Sequence, residues 1–249
     1  MQMLRKSLEK TVVEVEGKAI PAKIYREWRR DVRFSLGKRG AILRMPTVLT
    51  KSQEKKQVKQ FEQWVQQQFV AKPILNDRFF GKGYQTGDVL TVGNRQYTLD
   101  IAFTANKTHT ARLKGNQIFL KLTQNDTEVH LQKAIKHLLS RLVAQDFLPA
   151  IKKRVEALNA KHFQKEIKNV KLKYNATNWG SCSSKKNVNL STRLLFAPDE
   201  VIDYVIIHEL AHLIEMNHSP RFWAIVHKAM PNYKEKEQWL KKNGHLCDF

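Results

Sequence analysis

The sequence predicts an α+β fold in two parts. Residues 1–125 form a β-rich N-terminal region with one helix, and residues 126–249 form a helix-rich domain with a small sheet. Three observations carry this reading. Before residue 125, short apolar stretches are separated by turns built on Gly, Asn and Pro. After it, long apolar patterns recur at helical spacing. The run Val201, Ile202, Val205, Ile206, Ile207 is so apolar that only a covered helix would carry it, and that helix leads directly into the segment HELAH.

Element by element, residues 12–15 and 22–25 read as short strands around Gly17 and Pro21. Residues 33–36 and 41–45 flank GKRG as a hairpin, closed by Pro46. Residues 51–70 place Val58, Phe61, Trp64, Val65 and Phe69 on one helical stripe, a core-packing pattern that ends at Pro73. Strands at 89–92 and 96–102 are joined by Gly93-Asn94, and strands at 111–113 and 118–122 flank KGNQ. These strands predict a small antiparallel sheet. No internal repeat is visible by eye.

Residues 127–145 are amphipathic through Val129, Ala134, Ile135, Leu138, Leu139 and Leu142, and a second helix follows over 147–162 with Pro149 near its start. Strands at 170–174 and 188–191 are joined by the loop NATNWGSCSSKK. Pro198, Asp199 and Glu200 suit the first turn of the next helix. Helices after Pro220 and over 233–243 complete the chain, with Gly244 as terminator.

The chain of 249 residues is long enough to bury a sizeable core. No apolar run is long enough to cross a membrane, and the N-terminus lacks the apolar core of a secretory signal. Two cysteines, Cys182 and Cys247, are too few for a disulfide framework. The expectation is a soluble cytoplasmic protein. The net charge is +21. Residues 1–200 carry 38 Lys and Arg against 17 Asp and Glu, whereas residues 201–249 carry 6 against 6. The excess lies outside the HELAH segment, in a surface of the sign that attracts nucleic acid or nucleotides. A solvated basic surface is the plainer alternative. No sequence-specific nucleic-acid motif is present.

The chemistry-bearing constellation is HELAHLIEMNHSPRFW. His208 and His212 stand one turn apart on a helix, so both imidazoles reach one ion, and Glu209 lies on the flank of that face. On an unbroken helix His218 would point well away from that face. Asn217 tolerates the left-handed conformation that ends helices, Ser219 is a good N-cap, and Pro220 fits the first position of a new helix. The first helix is therefore expected to end near Met216 or Asn217, leaving His218 in a tight corner where it can turn back. Two or three imidazoles with a nearby carboxylate are the donor set of a zinc hydrolase. The alternative is a solvated, histidine-rich helix end.

The stretch KLKYNATNWGSCSSKKNVNLSTRLLFAPDEVIDYVIIHELAHLIEMNHSPRFW resembles the YgjP-like metallopeptidase family, a zincin-type group, and the likeness is close from Phe147 to Gly244. The resemblance implies a zincin-like domain at 126–249, one Zn2+ per chain held by His208, His212 and His218, and Glu209 as catalytic carboxylate. It implies a peptide or protein substrate. Residues 187–192 are the candidate edge strand for pairing with an extended peptide. Trp179, Ser181 and Asn189 are candidate substrate contacts, and Glu215 a candidate support behind the ligands. Cys182 reads as a small buried thiol. Tyr204, Tyr233, His227 and Arg193 are all conceivable oxyanion donors. Two other functions fit the same residues less fully. One is a metal-dependent nucleoside triphosphate pyrophosphohydrolase, although the familiar phosphate loops are absent. The other is a basic nucleic-acid-associated protein with a metal site, although Glu209 and an open coordination position argue against a structural metal.

Overall fold

Alternation of inward and outward side chains builds the first sheet. Strands β1 (Ser7–Val15) and β2 (Lys18–Glu27) bury Val13, Val15, Ile20, Ala22 and Ile24 on one face. Their turn uses positive φ at Glu16 and Gly17, as a tight hairpin requires. This is a computed structural model that describes residues 7–37, 40–80 and 82–249. Strands β3 (Arg33–Gly37) and β4 (Gly40–Pro46) follow, while Lys38 and Arg39, the centre of the expected GKRG turn, lie outside the described residues. The order is β1-β2-β4-β3, with β2 and β4 parallel. Helix α1 (Lys51–Ala71) starts at a Thr50–Gln53 capping box and buries Phe61, Val65 and Phe69 against the sheet. Pro73 ends α1 and also precedes a short helix α2 (Ile74–Phe80) that the sequence reading did not anticipate. Its Phe79 packs on Phe69 with ring centroids 5.5 Å apart.

The same plan recurs. Strands β5 (Val89–Val92), β6 (Arg95–Thr104), β7 (Thr110–Lys114) and β8 (Gln117–Thr123) form a sheet ordered β5-β6-β8-β7, with β6 and β8 parallel, followed by helix α3 (Glu128–His162). Counterparts lie 77 residues on: β1 ends at 15 and β5 at 92, and β2 begins at 18 and β6 at 95, β3 at 33 and β7 at 110, β4 at 40 and β8 at 117, α1 at 51 and α3 at 128. Thr50 and Thr127 cap the two helices alike. The internal repeat escaped inspection because the inward positions keep their character but rarely their residue: Ile20 answers to Tyr97, Ala22 to Leu99, Met45 to Leu122. The single antiparallel sheet expected before residue 125 is therefore two mixed four-stranded sheets.

Two compact units result, Met1–Lys82 and Gly83–Phe249. The boundary expected at 125 falls inside the second, because β5–β8 share one core with everything after them. Tyr97, for instance, donates its hydroxyl hydrogen bond to Asp146 on α3 at 2.5 Å. The two helices expected over 127–162 are one helix of 35 residues with Pro149 inside it. Proline removes one ladder donor there, and Arg95 Nη1 donates to the nearby Asp146 carbonyl at 3.0 Å.

The rest of the second unit positions the site. Strands β9 (Asn169–Lys173), β10 (Gly180–Cys182) and β11 (Asn187–Ser191) make a sheet ordered β10-β11-β9. The expected edge strand at 187–192 is thus central, paired on both sides, and the edge on the cleft side is β10, which the sequence reading left in a loop. A 3-10 turn over Thr192–Phe196 leads to helices α4 (Asp199–Ala211), α5 (Pro220–Ala229) and α6 (Tyr233–Asn243). Arg154 on α3 clamps the start of α4 through Asp203 at 2.5 Å and Asp199 at 2.6 Å. Among the described residues no helix is long and apolar enough to cross a membrane.

Candidate metal centre

Helix α4 is apolar almost all round, with Val201, Ile202, Val205, Ile206 and Leu210 buried. It runs through the second unit's core and delivers its C-terminal turn to a cleft. The cleft has a volume of about 610 Å³, and His208, Glu209, His212 and His218 line it together with residues 177–182 of the loop and edge strand β10. One nitrogen from each of the three histidines lies within 4.8 Å of the others. His208 Nε2 and His218 Nε2 are 3.0 Å apart.

The corner that brings His218 back differs in detail from the expected one. Helix α4 stops at Ala211, about a turn before Met216, and His212 is its cap. The reason is side-chain chemistry: the Glu215 carbonyl turns back to the His212 ring, with Nδ1 at 3.1 Å. A carbonyl can only accept, so Nδ1 carries the proton and Nε2 keeps its lone pair. Asn217 is not left-handed. Instead the Ser219 N–H donates to the Asn217 carbonyl at 2.8 Å, a three-residue turn centred on His218. Ser219 then caps α5 by accepting from the Phe222 N–H at 3.3 Å, with Pro220 at the first helical position, as anticipated.

Burial, then the neighbouring His212 and His218, pushes the His208 pKa down to about 4. Burial lowers His212 as well. These imidazoles are neutral near pH 7, the state in which they can coordinate a cation. Among the described residues no hydrogen-bond partner reaches the buried His208 Nδ1.

Glu209 is 5% exposed. Burial raises its pKa to about 8, opposed by the hydrogen bond it accepts from the Cys182 backbone N–H. It packs so closely on Gly180 that a Cβ there would lie 2.5 Å from Glu209 Oε1. Gly180 thus lines the cleft within the NATNWGSCSSKK segment, and its close contact with Glu209 is the part that the sequence did not reveal. The Cys182 thiol is pushed up to about 11 by burial and by Glu209, so it stays protonated at neutral pH.

Of the candidate substrate contacts, Trp179 and Ser181 line the cleft and Asn189 does not. Asn189 shares a face of the sheet with Ser181, to whose Oγ it donates at 3.3 Å, but it sits on central β11, one strand in from the edge strand β10 that lines the cleft. Glu215 supports His212 through its backbone carbonyl, while its carboxylate accepts from the Asn217 N–H at 3.4 Å. Arg193 is committed to holding the chain end: it donates to the carbonyls of Ala176, Gly244 and Cys247 at 2.8–2.9 Å and lies over the Trp179 ring at 4.6 Å. Of the other oxyanion candidates, Tyr204 lines the cleft, and Tyr233 and His227 do not.

The family model described as YgjP-like, metallopeptidase domain, matches residues 30–243. No curated protein matches the chain. Among solved structures it is similar to the metallopeptidase zymogen of Methanocaldococcus jannaschii jannalysin, at 23% identity over 37% of this chain and 94% of that one, with a TM-score of 0.33. It is also similar to the metallopeptidase zymogen of Pyrococcus abyssi abylysin, at 24% identity over 37% and 93%, with a TM-score of 0.34.

Proposed function

The chain belongs to the YgjP-like metallopeptidase family, and on that premise we propose that it is a zinc-dependent peptidase in which His208, His212 and His218 hold one zinc ion and Glu209 moves the proton. The observation that carries this reading is the convergence of three imidazole nitrogens within 4.8 Å in a cleft that also holds a buried carboxylate. The donor set fits the ion: three neutral nitrogen ligands suit zinc, whereas magnesium prefers carboxylate and carbonyl oxygens. When bound, zinc would polarise the scissile carbonyl and lower the pKa of a coordinated water toward about 7.

The chain's own groups do the rest. Glu209, held by the Cys182 N–H and favoured in its ionised form by the charge of a bound zinc, would accept a proton from the attacking water and return it to the leaving amine. The Glu215 carbonyl fixes the His212 tautomer. Substrate alignment falls to β10. Trp179 O and Ser183 N bond toward β11, so by alternation the Gly180 backbone groups and the Cys182 carbonyl point to the other edge, where the Cys182 N–H is already taken by Glu209. An extended peptide pairing there would lie beside Glu209.

The test is zinc analysis of purified protein together with degradation of an unfolded protein such as casein. One zinc per chain and cleavage are expected. Glu209→Gln should keep the zinc and lose cleavage, and His212→Ala should lose both. Pyrophosphate release from nucleoside triphosphates without any peptide cleavage would refute the peptidase reading.

A further inference from the structure

The sheet of the Met1–Lys82 unit has one face under α1 and one face open. Strand pairing sets the open face. Leu8, Tyr25, Arg44 and Arg33 form one row across all four strands, and Lys10, Lys23, Ile42 and Ser35 form the next. Leu8, Lys10, Lys23 and Arg33 are exposed. The Arg44 guanidinium lies over the Tyr25 ring, 4.5 Å from its centroid, so two flat π surfaces are stacked in the middle of the face. Trp28, 66% exposed, follows directly at the end of β2.

Charge on this face is one-sided. Of the strand carboxylates on this face, Glu27 is engaged by Arg29 and Arg44 at 3.0–3.2 Å and Glu14 lies toward the opposite end of β1 from Leu8, while Asp31, near Arg33, is engaged by Arg29 at 3.0 Å. Lys10, Lys23 and Arg33 make no ion pair among the described residues. A run of lysines on a helix would be a solvated surface and no more. Here cations outside any ion pair surround an aromatic–guanidinium contact on an exposed sheet face, and that combination selects its ligand. Bases stack on the planar groups while phosphates meet the cations. A duplex keeps its bases stacked on one another and leaves none to stack on Tyr25 and Arg44. An acidic peptide would use the cations and leave the stack without a partner. The counterpart face in the second unit also stacks an arginine on an aromatic ring, Arg112 over Phe119 at 4.8 Å, but Asp100 stands beside Phe119 in register. The first unit is the more electropositive platform.

We propose that the open face of the β1-β2-β4-β3 sheet binds single-stranded nucleic acid through stacking on Tyr25 and Arg44 and phosphate contacts to Lys10, Lys23 and Arg33. The proposal stands independently of the peptidase reading. The experiment is fluorescence anisotropy of the full chain with fluorescein-labelled oligothymidylate of about 20 nucleotides, a length spanning several bases per face, at a series of salt concentrations. The triple variant Lys10→Glu, Lys23→Glu, Arg33→Glu should weaken binding about tenfold or more and flatten the dependence of log affinity on log salt. Tyr25→Ala should weaken binding about fivefold with the salt slope unchanged, because stacking releases no counterions. The control is Lys51→Glu, Lys55→Glu, Lys59→Glu on exposed positions of α1, across the sheet; it should change affinity less than about twofold at physiological salt. Equal loss in both triple variants overturns the proposal. So does a duplex that binds as tightly as the single strand, or a wild-type chain that ignores the oligonucleotide at low salt while sedimenting with phosphatidylserine vesicles.

Discussion

Replacing Gly180 by alanine should disable the proposed base while sparing the metal ligands. A Cβ at this position would lie 2.5 Å from Glu209 Oε1, 2.6 Å from its Cγ and 2.8 Å from its Cδ, whereas ordinary contact begins near 3.4 Å. The carboxylate would therefore have to retreat by close to 1 Å. Because the clash involves Cγ as well as the tip, rotation of the carboxylate alone does not relieve it, and Glu209 is too buried to swing into solvent. A misplacement of about 1 Å costs on the order of 10²-fold in rate, or about 2.7 kcal/mol of barrier. The assay is casein degradation with parallel zinc analysis and thermal melting. Gly180→Ala should keep one zinc per chain and fall about a hundredfold in kcat. Gly83→Ala, where an added Cβ meets nothing within 4 Å, should behave as wild type. Activity of Gly180→Ala within about twofold of wild type would refute the geometric role assigned to Gly180 and Glu209. Loss of zinc in that variant would refute the separation of base from ligands.

Arg193→Ala removes three hydrogen bonds to carbonyls and the stack on Trp179; it should cost about 2–4 kcal/mol and lower Tm by about 5–10 °C, and Arg193→Lys should not restore it. Ser219→Ala should cost about 1 kcal/mol as a lost cap and, by loosening the turn that aims His218, weaken zinc retention in a chelator competition. Partial burial pushes the Asp146 pKa up, but the Tyr97 hydroxyl and Arg95 more than offset this and hold it below the usual carboxylate value. Its contribution to stability is therefore present above about pH 4 and disappears as pH falls through the lowered value. Melting curves of Asp146→Asn should lack that part of the acid-induced decline.

The site was legible where local chemistry decides. Two histidines one turn apart, then Asn-His-Ser-Pro, contain both the face and the corner, and Ser219 and Pro220 start α5 as their residue types require. What escaped depends on partners distant in sequence or on backbone facing a side chain. The end of α4 at Ala211 is set by the Glu215 carbonyl reaching a ring three residues back. Strand β10 has three residues, too few to alternate visibly, and exists because β11 and Glu209 hold it. Asn189 does not line the cleft because of strand order: it shares a face with Ser181 but lies on central β11, and a strand's place in its sheet is not visible in the sequence. Strand order is not written in apolar alternation, so the parallel pairs β2–β4 and β6–β8 could not be read from it.

The 77-residue correspondence also explains how the candidate catalytic half is attached. Helices α1 and α3 begin at equivalent positions, but α1 ends at Ala71 while α3 continues past the equivalent Leu148 to His162. The added length carries Arg154, which holds α4 through Asp199 and Asp203. The change shows one residue before the point of divergence. Val70 is 78% exposed, whereas its counterpart Phe147 is 8% exposed, with Arg95 over its ring at 4.3 Å. One position of the same module is surface in the first copy and interior in the second. Phe147→Ala should then cost about 3–5 kcal/mol, and Val70→Ala less than about 0.5 kcal/mol, measured by urea unfolding of the full chain. Similar losses at both positions would mean that the two copies do not bear the structural relation that their register implies.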